Sequence, residues 1–255
     1  MYKVVKYVMV DILRNRFIFA YMLFLLLISF SIFSLETNIS KGLLSILNII
    51  LIIVPLVSLV FSTIYMYNSG KFVELLLSQP IKRTKLLFSL FTGICCSLLI
   101  AFFIGIGLPT ILMEGSPTAY MMTFTGLLLT TIFVSLAILG SVITHDKAKG
   151  IGIAILIWLT STLLYDGLLL LLMFQFNDYP LEKAMIFLCS LNPVDLARIL
   201  ILLKMDISAL MSYTGAIFNQ FFGTNTGIIY SVSVMLVWIG IPLAIALRKF
   251  SKKDL

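Results

Sequence analysis

Six apolar stretches separated by polar intervals organise this chain: Phe17 to Leu35, Leu43 to Tyr67, Leu86 to Met113, Tyr120 to Ile143, Ile151 to Phe176 and Gly227 to Leu247. A helix needs about 20 apolar residues, rising 1.5 Å each, to cross a hydrocarbon core of about 30 Å. Each stretch is long enough. The pattern predicts an all-α polytopic membrane protein with six transmembrane helices in a single domain spanning residues 1–255.

The intervals carry patterns of their own. In the leader, residues 1–16, Val5, Val8, Met9 and Ile12 share one helical face while Lys3, Tyr7, Asp11 and Arg14 lie opposite. That amphipathicity predicts an N-terminal interfacial helix lying on the inner leaflet; the alternative is a plain extension of span one. Between spans two and three, in residues 68–85, Gly70 and Pro80 punctuate about two helical turns. A short cytoplasmic helix there would offer Phe72, Val73, Leu75 and Leu76 to a partner and leave Lys82, Arg83 and Lys85 at the lipid headgroups. The alternative is an ordinary basic turn. The short interval with His145, Asp146 and Lys147 reads as a solvated loop or a second, smaller partner contact, since one histidine builds no metal site.

Residues 177–226 are too apolar for a free loop and too interrupted for a span. Asn192 suits the helix N-cap, Pro193 the first helical position and Asp195 the third. The helix that follows carries an apolar run of about 11 residues, roughly 16 Å, too short to cross. A hairpin of short re-entrant outer helices before span six is expected.

Composition reinforces the membrane reading, with 61% hydrophobic and 11% charged residues against about 25% charged in soluble domains. The net charge of +7 is a topology signal. With the N-terminus inside, the leader, the 68–85 segment, the 144–150 loop and the C-terminal tail hold most of the 18 basic residues, leaving only Lys41, Lys183, Arg198 and Lys204 outside. Lys and Arg are disfavoured in translocated short loops, so both termini are placed in the cytoplasm. Basic residues scattered over four inner segments do not form a nucleic-acid footprint.

Candidate chemistry is sparse. Asp166 lies inside span five beside Tyr165, and an ionisable group at that depth demands a partner or a function. Pairing with Arg198 near the outer surface, capping a neighbouring helix and a place on a translocation path all remain open. The twelve methionines form no tight Met-x-x-Met series, so they read as gap-fillers in apolar helices and no metal ligand is assigned. Cys95, Cys96 and Cys189 leave no disulfide-like spacing. There is no phosphate-cradling Gly-x-x-x-x-Gly-Lys-Ser/Thr loop and no nucleophile triad, so the chain is not expected to be an enzyme or to bind a cofactor directly. Gly105-Ile-Gly107 sits within a span and reads as a flexible or close-packed helix site.

The order of parts resembles that of ABC transporter permeases of the type-2 exporter membrane-domain family, over essentially the whole chain. More narrowly, Leu75 to Leu87, Tyr165-Asp166 and Leu191 to Arg198 are similar to the NosY-type permeases of nitrous oxide reductase copper-site maturation. The resemblance implies a homodimer in the bacterial cytoplasmic (inner) membrane, among membrane lipids, bound to a cytoplasmic P-loop ATPase subunit through which ATP enters. It also implies a periplasmic copper-site maturation protein as partner and a role in copper or sulfur delivery. By the same match Phe72, Val73, Glu74, Leu75, Leu76 and Gln79 form the ATPase-coupling helix. One departure is that Asn68-Ser-Gly-Lys71 and the single Glu74 replace a glutamate-rich approach to that helix. The alternatives are an exporter of a small hydrophobic compound, lipid or peptide, and a non-transporting anchor or scaffold.

Overall fold

The computed structural model describes residues 2–36, 38–78, 81–144, 146–175, 182–205 and 225–252; Gln79 and His145 fall outside them. The described residues are helical apart from short connections, with no strand among them. The helices are α1 (Tyr2–Leu13), α2 (Arg16–Leu35), α3 (Ile39–Asn68), α4 (Gly70–Leu77), α5 (Arg83–Phe102), α6 (Leu108–Glu114), α7 (Pro117–Ile143), α8 (Lys147–Leu159), α9 (Tyr165–Gln175), α10 (Glu182–Ser190), α11 (Pro193–Lys204) and α12 (Asn225–Lys252). A π-helical turn, Phe103–Gly107, joins α5 to α6, and another, Thr160–Leu164, joins α8 to α9.

Six helical stretches are long and apolar enough to cross a membrane: Arg16–Leu35, Ser40–Asn68, Arg83–Glu114, Pro117–Ile143, Lys147–Leu172 and Thr226–Lys252. They agree with the six apolar stretches of the sequence to within a few residues. Most extend further, because a helix keeps its backbone hydrogen bonds past the last apolar side chain.

Helix α1 is separate from the first span. The chain breaks at Asn15, whose side chain accepts a 2.9 Å hydrogen bond from the Phe17 amide and caps α2. Val8 and Ile12 are fully buried, while Lys3, Tyr7 and Asp11 are exposed. The apolar stripe packs on α5 at Gly93, where an added Cβ would fall 2.6 Å from Val8 Cγ1. Only glycine permits this approach.

The third and fourth spans are the centre of the molecule, each with 61% of its most apolar window buried, and the second follows at 50%. The first, sixth and fifth spans are peripheral, at 22%, 17% and 11%. Phe102 drives into α7 where Gly126 leaves room, and Gly107 lies against Thr123. Between these two spans the chain reverses at Gly115, whose φ of 60° favours glycine. Ser116 then caps α7 by accepting a hydrogen bond from the Ala119 amide.

Four interruptions punctuate the spans, and each is met by a side chain from a neighbouring helix. Pro55 and Pro242 lie inside α3 and α12, where a ring without an N–H loosens the preceding turn. Trp158 Nε1 donates to the Ile52 carbonyl at 2.9 Å and Ser135 Oγ to the Ile239 carbonyl at 2.8 Å, each three residues before a proline. At the π turns, Ser29 Oγ donates to the Gly105 carbonyl at 3.2 Å and Asn192 Nδ2 to the Ser161 carbonyl at 2.7 Å. Backbone groups in hydrocarbon must be satisfied internally, so these four contacts fix which helices lie side by side.

Candidate functional site

The polar chemistry gathers at two ends of the molecule. At one end α3 runs into α4 without a flexible joint. Ser69 closes α3 by donating its amide to the Tyr65 carbonyl at 2.9 Å and opens α4 by accepting from the Val73 amide at 2.9 Å. Ser69 thereby belongs to both helices, its amide to α3 and its carbonyl to α4.

The faces of α4 are unequal. Lys71, Glu74 and Leu75 are exposed, Leu75 by 69%, whereas Phe72, Leu76 and Leu77 are partly buried. The expectation that Val73 is open to a partner is corrected. Val73 is 7% exposed and belongs to the apolar core, because the short helix lays its apolar face back on its own chain. Phe72 stacks on Tyr7 of α1 with ring centroids 5.1 Å apart. The surface left for a partner is Lys71, Glu74, Leu75 and Ser78.

The base of α3 is clipped to the end of α7 and to the start of span five. Tyr67 hydrogen-bonds the Thr144 hydroxyl and donates to the Thr144 carbonyl at 3.2 Å. Its ring covers Gly150 so closely that an added Cβ there would lie 2.2 Å from the phenolic oxygen. Beside it Lys147 Nζ donates to Asn68 Oδ1 at 2.8 Å. Asp146 caps α8 through a 2.9 Å bond from the Ala148 amide.

At the other end α9, α10, α11 and α12 enclose a polar cluster. Asn192 is the N-cap of α11, its Oδ1 accepting from the Val194 amide at 3.2 Å. Its Nδ2 serves twice, to Asp195 Oδ2 at 2.9 Å and to the Ser161 carbonyl. Arg198 forms an ion pair with Asp166 and approaches Asp195 Oδ1 at 3.6 Å. Of the readings open for Asp166, the structure contains the pairing with Arg198. Tyr165 donates to the Leu188 carbonyl at 2.6 Å, Ser190 Oγ meets the Tyr230 hydroxyl at 3.0 Å, and Trp238 Nε1 donates to the Ser190 carbonyl.

Burial governs the electrostatics of this cluster. Asp195 is 3% exposed and its Oδ1 has no hydrogen-bond partner. Burial raises its carboxyl to about 8, the adjacent Asp166 pushes the same way, and Asn192 and Arg198 only partly offset them. Cys189 is pushed up to about 12, first by burial and then by Asp195 and Asp166. A thiol so protonated is a poor nucleophile and a poor metal ligand. The arrangement binds helices together and favours the neutral form of Asp195; among the described residues no group of three His, Cys, Asp or Glu is placed to hold a metal ion.

Residues 9–255 match the family described as ABC-2 family transporter protein. The chain belongs to the ABC-2 transporter family. It is also similar to the probable ABC transporter permease protein NosY of Stutzerimonas stutzeri, with 24% identity over 266 aligned positions covering 95% of each chain. Members of such families are the membrane subunits of ATP-driven complexes, so a partner ATPase subunit is implied.

In this ABC-2 permease the residues singled out in the sequence divide by position. Phe72, Val73, Glu74, Leu75 and Leu76 lie on α4, while Tyr165, Asp166, Asn192, Pro193, Asp195 and Arg198 converge at the far end of span five. Pro193 occupies the first turn of α11, where its missing N–H costs no helical hydrogen bond. Sequence reasoning missed the clip of Tyr67, Asn68, Thr144 and Lys147 and the π turn Thr160–Leu164, whereas Gly105-Ile-Gly107, read as a flexible or close-packed helix site, falls in the other π turn. The one available signal was Gly150, a glycine at a helix start where no turn requires it.

Proposed function

We propose that this permease works as a homodimer in the bacterial cytoplasmic membrane, with both termini inside and α1 at the inner leaflet. A separate P-loop ATPase docks on the exposed face of α4, and ATP binding there drives a change in the packing of the spans. Its task in this reading is copper or sulfur delivery for nitrous oxide reductase maturation, together with a periplasmic partner. The observation that carries the reading is the similarity to the Stutzerimonas permease across 95% of both chains. The exposed Glu74 and Leu75 of α4 supply its physical counterpart.

Export of a small hydrophobic compound, lipid or peptide by the same architecture is the second reading. It is favoured by an open apolar cavity of about 550 Å³ lined by Gly115, Pro117, Tyr120, Met121 and Phe124. Gentle purification of the tagged chain from its native membranes separates the two. A P-loop ATPase recovered with a periplasmic copper-handling protein supports maturation; an ATPase alone, stimulated by lipid or peptide, supports export. Recovery of no ATPase overturns both. Leu75→Asp places a charge on the exposed apolar side chain of α4 and is expected to lower ATPase recovery at least about tenfold, by the loss of an interface anchor. The fold is expected to survive, because Leu75 is 69% exposed.

A further inference from the structure

Span five, Lys147–Leu172, is the least embedded of the six, with 11% of its most apolar window buried, yet five of the long-range polar contacts described above are its own. Its inner half is fixed to α3. Tyr67 covers Gly150, Lys147 holds Asn68, and Trp158 reaches the Ile52 carbonyl; the Tyr67 hydroxyl itself is held by Thr144, the C-cap of α7. Its outer half is fixed to the α10–α11 hairpin. The Ser161 carbonyl takes Asn192, Tyr165 takes the Leu188 carbonyl, and Asp166 takes Arg198. The change of partner falls at the π turn Thr160–Leu164, a kind of interruption that concentrates at functional sites.

We propose that span five is the strut that carries movement of α4 to the outer hairpin, with Lys147 and Trp158 as the positioning residues of its inner half and the Asp166–Arg198 pair as the clamp at its outer end. This rests on the permease reading and extends it. The strut is anchored by directional contacts at both ends and only thinly packed along its length. A displacement at the base of α3 therefore reaches the hairpin along the helix with few contacts inside its own chain to absorb it. Because α4 continues α3 through Ser69, whatever pushes α4 pushes the inner clip. Hydrogen bonds and an ion pair have discrete made and broken states, which is what a coupling element between distant sites requires.

The test uses the permease with its ATPase in sealed vesicles, with Leu191→Cys as reporter in a Cys96→Ser background. Leu191 is 47% exposed at the α10–α11 junction, and Cys96 is the exposed native cysteine. Trapping ATP in the parent complex is expected to change the labelling rate of the reporter by about threefold or more. Lys147→Met removes the bond to Asn68, and Trp158→Phe removes the bond to the Ile52 carbonyl. Each is expected to shrink the nucleotide-dependent change to less than half, with ATP hydrolysis continuing and nucleotide-free labelling unchanged. Arg198→Ala is expected to do the same from the outer end, with Arg198→Lys partly restoring it. If the complex hydrolyses ATP but the parent shows no nucleotide-dependent labelling, or the end variants keep it in full, the strut is overturned and the permease reading stands. If the chain neither binds nor stimulates an ATPase, the permease reading falls and the strut with it.

Discussion

Asn192 shows how one side chain can be legible in part. Its N-cap role follows from the order Asn192, Pro193, Asp195, since a cap, a first-turn proline and an acidic third residue satisfy the free amides of a helix start. Its second role, donating to Ser161 across the cluster, depends on a π turn that no residue pattern announces. Asp195 then finds itself buried beside another carboxylate, with its carboxyl raised to about 8. An unfolded aspartate titrates near 4. Below that both states hold the proton; between about 4 and 8 the native state holds it and the unfolded state has released it. Stability from this group is therefore fully present below about pH 4 and is lost as pH rises through about 8. Thermal unfolding in detergent at pH 5, 7 and 9 is expected to show the parent losing stability relative to Asp195→Asn as pH rises. Parallel curves would show that Asp195 titrates normally.

Among the elements, the spans were legible and their contacts were not. Apolar length and flanking charge locate a membrane helix because the bilayer core has a fixed thickness. Which spans are central depends on where small residues let backbones approach, and a glycine in an apolar run looks the same whether it faces a partner or lipid. Gly93 and Gly152 make the contrast. A Cβ at Gly93 would lie 2.6 Å from Val8 Cγ1 and 2.8 Å from Val8 Cβ, and the latter cannot rotate aside; at Gly152 nothing lies within 4 Å. Overpacking costs about 1–3 kcal/mol, more than the roughly 1 kcal/mol that alanine gains over glycine in a helix. Gly93→Ala is expected to lift α1 from α5, read as faster amide exchange across Tyr2–Leu13 and a lower melting temperature. Gly152→Ala is expected to leave both unchanged or slightly improved. Equal behaviour of the two variants would mean that α1 is not seated on Gly93.

For the whole molecule, the charge distribution makes the orientation testable independently of any partner. Of the four basic residues assigned to the outside, Arg198 lies more than about 20 residues from both the end of span five at Leu172 and the start of span six at Thr226, beyond the reach within which Lys and Arg set orientation. The bias toward the inner side is then stronger than a plain count of residues suggests, because the rule acts on Lys and Arg in short flanking loops. Lys249 and Lys252 lie in the last turns of α12, and Lys3 and Lys6 on α1, so the same rule puts both ends of the chain on one side. Ser251 is exposed near the end of α12 and Leu191 between α10 and α11, and the proposed orientation sets single cysteines at the two positions on opposite sides of the bilayer. With Cys96→Ser as background, a membrane-impermeant thiol reagent applied to intact cells is expected to label Leu191→Cys and to reach Ser251→Cys only after the membrane is opened. The reverse pattern would invert the topology and put α4 outside, where no ATP-hydrolysing partner could meet it. Labelling of both in intact cells would break the six-span count itself.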